Sequence, residues 1–215
     1  TNPPIDSLRE TSVMSLETCL GVERNLFDES SLHAGRLILD TPILSRQVFE
    51  KLISFDKKGF PNDKLSLHYD KTIDLEEAIN TISDRAVRSV KKGNVLIILS
   101  DFNLNSSQLT IPAAMAVGAV HHRLIEEGLR CDCNIIIETA STWNSHHFAV
   151  LLGYGCSAIY PYLSFSIIEN MISRNSLDEN IYGDHVANYI KGINKGLLKI
   201  MSKMGISCVS SYRGA

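Results

Sequence analysis

The chain has 215 residues, of which 44% are hydrophobic and 21% charged, with a formal net charge of −3. High apolar content and low net charge exclude intrinsic disorder, and the missing basic excess argues against a general nucleic-acid binder. No run of about 18 apolar residues exists, so no membrane-spanning segment is expected.

Short β-rich runs alternate with longer helical patterns along the chain. Arg36–Leu39 and Leu65–Tyr69 are the first predicted strands. Asp74, with Glu77 three residues on, makes a capping-box-like helix start. Leu75, Ile79, Ile82, Ala86 and Val90 then recur at helical spacing, Lys91 and Lys92 suit the last turn, and Gly93 is a stop. Val95–Ser100 is the next strand. A helix then starts near Ile111–Pro112, where a proline's missing N–H costs nothing, and ends near Gly128. Strand Asn134–Thr139, helix Ser145–Leu152, strand Ala158–Tyr160 and helix Ser164–Ser173 follow. The longest pattern, His185–Met204, places Tyr189, Ile193, Leu197, Ile200 and Met204 on one side. A last strand is predicted at Ile206–Ser210. Val95–Leu99 and Ile135–Ile137 are continuously apolar, as strands buried on both faces are.

This alternation predicts an α/β fold with mostly parallel strands and right-handed crossovers, which either an open doubly wound sheet or a (β/α) barrel, whole or partial, would satisfy. A closed eight-stranded barrel needs about 250 residues, so six strands predict an incomplete or degenerate (β/α) barrel. Gly21–Ser31, Lys57–Lys64, Asp101–Thr110 and Ser176–Gly183 are rich in Asn, Asp, Ser and Gly and read as loops. No linker, repeat or low-complexity tract divides the chain, so residues 1–215 are expected to form a single domain. The start at Thr1 without Met or signal peptide, and the end in Arg-Gly-Ala, read as those of a segment of a longer protein.

Five irregularly spaced cysteines point to a reducing compartment rather than a disulfide framework. Cys131 and Cys133, if on a strand, would share one face, but two more ligands for a closed metal site are missing. His121–His122 and His146–His147 are adjacent pairs. Their rings diverge by about 100° on a helix, so neither chelates one ion; one buried and one surface histidine per pair is the simpler reading. Gly153-Tyr-Gly155 lies between a helix and a strand. That is the reverse of a phosphate-binding order, so it reads as a helix stop and tight turn. Gly192 and Gly196 each cost a helix about 1 kcal/mol, which close approach of a neighbouring element would offset. The P-loop, the Rossmann glycine fingerprint and the nucleophile elbow are absent.

Five stretches in order carry a resemblance. They are Thr1-Asn-Pro-Pro-Ile-Asp-Ser-Leu-Arg-Glu10 leading into Val13-Met-Ser-Leu16, and Pro42-Ile-Leu44. Then come Ile97-Ile-Leu-Ser-Asp101 with Ile111-Pro112 and Ala116-Val-Gly-Ala-Val-His-His122, and His146-His-Phe-Ala149 with Leu152-Gly-Tyr-Gly155 and Pro161-Tyr-Leu163. The last is Asn194-Lys-Gly-Leu-Leu-Lys199 with Met201-Ser-Lys-Met-Gly-Ile-Ser207 and Ser211-Tyr-Arg-Gly-Ala215. Together they resemble the central domain of the glutamate synthase large subunit, nearly end to end. Phe102, Arg123 and Tyr160 depart from the residues usual in that family. The contexts of Ser145-His-His-Phe and Pro161-Tyr-Leu lean towards the ferredoxin-dependent type.

The resemblance implies an α/β domain that joins a glutamine amidotransferase domain to an FMN and iron–sulfur synthase domain of the same polypeptide. It implies that the domain lines part of an ammonia tunnel, with Thr1, Asn2 and Ile5 near the tunnel entrance. FMN, the cluster and the catalytic groups would lie outside this segment, which would hold no catalytic, cofactor or metal site and be inactive alone. Ferredoxin or a pyridine-nucleotide-oxidising subunit would supply electrons, in the cytoplasm or plastid stroma. Neither nucleic acid nor membrane is an expected partner. The alternative is a free-standing small (β/α)-barrel enzyme, with Ser100, Asp101, Glu138, Thr139 and Tyr160 as candidates at strand C-terminal ends. A scaffold with bare apolar faces is a third reading.

Overall fold

The computed structural model describes residues 4–6, 8–55, 59–174 and 182–215, without the side chains of 182–184. In chain order the helices are α1 (Glu10–Val13), α2 (Arg46–Ser54), α3 (Leu75–Lys91), α4 (Ala113–Glu126), α5 (Ser145–Gly153), α6 (Tyr162–Ser173) and α7 (Tyr182–Met204). The strands are β1 (Thr18–Leu20), β2 (Leu37–Leu39), β3 (Asn62–Ser66), β4 (His68–Asp70), β5 (Leu96–Ser100), β6 (Gln108–Thr110), β7 (Asn134–Glu138) and β8 (Ala158–Tyr160).

The main sheet is parallel, in the order β3-β5-β7-β8. Its alternating side chains divide between two cores, as strands buried on both faces require. Ile97, Leu99, Ile135, Ile137 and Ile159 pack on one side with α3, α4, α5 and α7. Leu96, Ile98, Ile136, Ala158 and Tyr160 face the other side, against Phe49 and Leu52 of α2 and Phe165 of α6. Burying Phe49 and Leu52, each 3% exposed, contributes about 1.5–3 kcal/mol apiece.

Chain direction explains why α2 lies apart from α3, α4 and α5. Residues Pro42–Leu44 form a fifth, minimal strand beside β8: Ile159 N–H donates to the Pro42 carbonyl and Leu44 N–H to the Ile159 carbonyl, both at 2.8 Å. From that edge, α2 carries the chain to β3 at the opposite edge. The steps from β3 to β8 run back the other way. Right-handed crossovers in opposite directions put their helices on opposite faces. Among the described residues no ladder joins 42–44 to β3, so the barrel is not closed.

Local signals hold where they were strong. The Asp74 carboxylate accepts from Glu76 N–H at 3.0 Å to start α3, and Gly93 at φ +96° follows its end. α2 is a helix that the sequence pattern did not flag, started by Ser45 Oγ accepting from Val48 N–H at 3.3 Å. Three expectations are corrected. Gln108–Thr110, expected in a loop, form β6, which pairs antiparallel with His68–Asp70 of β4. Asn62–Lys64, expected in a loop, belong to β3, because β5 offers them a partner edge. Ile206–Ser210 is not a strand. Among the described residues the only pairing there is a bridge between Ser15 and Cys208, and the chain then tightens into a 3-10 turn, Val209–Tyr212, that buries Val209 and Tyr212.

The two glycines of α7 part company. A Cβ on Gly196 would lie 1.9 Å from Ser145 Oγ, so this glycine lets the start of α5 approach the α7 backbone. At Gly192 nothing lies within 4 Å among the described residues.

Candidate functional site

Parallel register brings the last residues of four strands into one row: Ser66, Ser100, Glu138 and Tyr160 are successive partners. Even spacing turns them to the α2 side of the sheet, where strands end and ligand crevices of α/β sheets form. A cavity of about 380 Å³ lies there, lined by Arg46, Phe49, Glu50, Phe102, Glu138, Tyr160, Tyr162 and Ser166.

Glu138 is the most deeply set charge of this cleft, its side chain 5% exposed. Its Oε2 takes a hydrogen bond from Ser100 Oγ and an ion pair from Lys64 Nζ at 2.6 Å. Lys64 stands two strands away on β3 and reaches along the sheet, its ammonium 5.5 Å from the Phe102 ring centroid. Ser100 Oγ also accepts from Phe102 N–H at 3.2 Å, which fixes the hydroxyl's direction. The walls are aromatic. Phe49 stacks on Tyr160 at 4.4 Å between centroids, and Phe102 meets Tyr162 edge-on at 5.0 Å. Burial pushes both phenols, Tyr160 and Tyr162, above the usual tyrosine range, with Asp101 adding to the effect at Tyr162. Both phenols therefore stay protonated at neutral pH. At the mouth, Arg46 Nε donates to Glu50 Oε1 at 3.0 Å, and its Nη1 lies 3.6 Å from Glu169.

The strand-end residues thus split into two roles. Ser100, Glu138 and Tyr160 stand in the row above. Asp101 and Thr139 tie two loops together: the Asp101 carboxylate accepts from Ala140 N–H at 3.0 Å and from Thr139 Oγ1 at 2.5 Å. Lys64, Arg46, Phe49 and Phe102 belong to the same cleft without having been singled out as site residues. Only the register and the placement of α2 bring them there.

Of the expected tunnel residues, Thr1 and Asn2 lie outside the described residues. Ile5 is clamped to α7: its N–H donates to the Ser202 carbonyl and its carbonyl accepts from Ser202 Oγ, both at 2.9 Å. Its side chain packs against the core of the α3/α4/α5 face.

The histidine pairs separate as helix geometry demands. His121 is half-buried and His122 exposed. Arg130 donates Nε–H to His121 Nδ1 at 2.9 Å, Nη1–H to the Cys133 carbonyl at 2.8 Å and Nη2–H to the Gly155 carbonyl at 2.8 Å. Burial, reinforced by the Arg130 charge, lowers the His121 pKa to about 4. Gly155, at φ +112°, closes this knot: a Cβ there would lie 2.3 Å from His121 Nδ1. The Gly153-Tyr-Gly155 stretch is therefore a turn shaped around a histidine.

Cys131 and Cys133 do not share a face. Cys131 sits exposed in the 3-10 turn Arg130–Asp132, and Cys133 is buried. Among the described residues no group of three His, Cys, Asp or Glu could hold a metal ion, and no helix is long and apolar enough to cross a membrane.

The chain matches the glutamate synthase central domain profile over residues 1–215. It is 40% identical over 215 residues to the glutamate synthase [NADPH] large chain of Bacillus subtilis, covering 100% of this chain and 14% of that one. Against the ferredoxin-dependent glutamate synthase of Pyropia yezoensis the identity is 38% over 226 residues, covering 100% and 15%. The chain belongs to the glutamate synthase family. It spans only 14–15% of the length of these two relatives, which places it as the central domain of the large chain. Among solved structures it is similar to the flavin-binding domain of baker's yeast flavocytochrome b2, with TM-score 0.52 and 13% identity, covering 79% of this chain and 37% of that one. That likeness concerns the fold alone: the parallel sheet here is open where that of a (β/α) barrel is closed.

Proposed function

We propose that residues 1–215 act as a single connecting domain within a glutamate synthase polypeptide, between a glutamine amidotransferase domain and an FMN and iron–sulfur synthase domain. The whole enzyme, an oxidoreductase, would convert glutamine, 2-oxoglutarate and reductant to two glutamates. This domain would line part of the passage that carries ammonia between the two centres. The observation that carries this reading is the family match along all 215 residues combined with the small share of each relative that they span. Ferredoxin or a pyridine-nucleotide-oxidising subunit would deliver the electrons, in the cytoplasm or a plastid stroma. Relatives whose names carry ferredoxin and NADPH stand at 38% and 40% identity, so both donors fit.

The residues of this domain do not suit the cofactors of the whole enzyme. Phe49 and Leu52 of α2 pack against the sheet face that a closed barrel would turn inward, so the strand ends do not open onto a barrel mouth. Burial pushes the Cys133 thiol up to about 11 and the Cys156 thiol up to about 12, which suits inert buried thiols better than cluster-binding thiolates. We therefore assign FMN and the cluster to the adjoining domain and no catalytic group to this one.

The Thr1-Asn2-Pro3 stretch, with Ile5 held on Ser202, is the proposed passage element. Prolines at positions 3 and 4 favour an extended backbone there. In the whole enzyme, Asn2→Ala is expected to hydrolyse glutamine in excess of the glutamate it forms. Glutaminase and synthase rates measured on one preparation check this, and an unchanged ratio rejects the role of Asn2.

A further inference from the structure

The cleft at the strand ends has features that a connecting role does not require. The Glu138 carboxylate is bonded on one side only. Oε2 takes both Ser100 and Lys64, whereas Oε1 accepts nothing among the described residues and keeps access to the cavity. A carboxylate in a side chain 5% exposed, with one oxygen unpaired, favours a donor that enters from the cavity. At the mouth Arg46 uses Nε and Nη1 on Glu50 and Glu169, and its Nη2 has no partner among the described residues. Phe49, Phe102, Tyr160 and Tyr162 line the same cleft with ring faces and edges.

The charge balance narrows the ligand. Glu50, Glu138 and Glu169 face Arg46 and Lys64, so the cleft disfavours a net anion and leaves a ligand carboxylate only Arg46 to pair with. A net-neutral molecule that carries both charges fits better, its cation towards Glu138 and its anion towards Arg46. The aromatic walls add a requirement for apolar surface between or beside them. A volume of about 380 Å³ falls in the small range of ligand pockets.

We propose that this cleft is a binding site for a small apolar α-amino acid, its ammonium held by Glu138 Oε1, its carboxylate by Arg46 and its side chain by the aromatic walls. The site is separate from the passage element, and its loss leaves the ratio of glutamine hydrolysed to glutamate formed unchanged. The two proposals therefore fail independently.

The test is calorimetric titration of the whole polypeptide that carries this domain. L-leucine is the probe, with 4-methylpentanoate lacking the ammonium and isoamylamine lacking the carboxylate. Saturable L-leucine binding is expected, weakened about tenfold or more by Glu138→Gln and by loss of either charged group from the probe. Phe102→Ala, at a residue 43% exposed, keeps the fold intact and is expected to weaken binding severalfold should Glu138→Gln fail to fold. No saturable binding to the wild type up to about 10 mM, or the same affinity in both variants, overturns the proposal.

Discussion

Two polar clusters of this domain make opposite use of buried charge. In the cleft, Glu138 keeps one oxygen free beside a cavity, and its partner Lys64 is 44% exposed. In the knot around His121, Arg130 spends three N–H groups on one ring nitrogen and two carbonyls, and Gly155 leaves no room for a methyl group. The knot is closed by its own residues and serves packing. The cleft is satisfied on one side only, which is the condition for taking a ligand. A buried ionisable group thus points to a site only when its hydrogen-bonding capacity is left incomplete beside open space.

The contrast can be broken by substitution. The largest effect is expected at the knot: Gly155→Ala combines a positive φ with a clash against the His121 ring and should cost about 3–5 kcal/mol. A thermal melt shows it as a large fall in Tm, and a near-wild-type Tm would mean that the knot is looser than its geometry. At the cleft, Lys64→Ala removes the ammonium from Glu138 but leaves Ser100 in place. Because Lys64 is half-exposed, the loss should be about 1–2 kcal/mol. Denaturant unfolding of the two proteins side by side measures it. A larger loss at Lys64 than at Gly155 would invert the comparison.

The smallest expected effect is a pH dependence from His121. Burial holds its folded pKa near 4, below the ordinary 6.5, so the unfolded chain binds the proton first as pH falls. The neutral ring's contribution is complete above about pH 6.5 and is lost as pH drops towards about 4. Discounted for the ring's partial exposure, it amounts to roughly 1 kcal/mol. His121→Gln should therefore gain stability relative to wild type between about pH 7 and about pH 4.5. A constant difference across that range would show that the ring is solvated.

Much of the fold was legible because its signals are local. The apolar runs at Val95–Leu99 and Ile135–Ile137 read as doubly covered strands, and they are. The Asp74 start and Gly93 stop of α3 needed only neighbouring residues. α2 was missed since its signals, Ser45 and the Val48, Phe49, Leu52 and Ile53 set, are short and weak. The Ile206–Ser210 run looked like a strand because β-propensity says nothing about whether a partner edge exists. The half of the candidate site made of Ser100, Glu138 and Tyr160 was readable as strand-end polar residues. The other half was not, as Lys64 reaches Glu138 across two strands and Phe49 arrives from a helix on the far side of the crossover.

The sequence by itself determined the family, the strand–helix alternation and the parallel sheet, because motif order, periodicity and capping are properties of neighbouring residues. Only the tertiary structure decided that the barrel stays open, that Pro42–Leu44 pairs with β8 while α2 covers the opposite face, and that Glu138 keeps a free oxygen over an aromatic cleft. Those outcomes depend on strand register and crossover direction, which join residues distant in the chain and leave no trace in any one stretch of it.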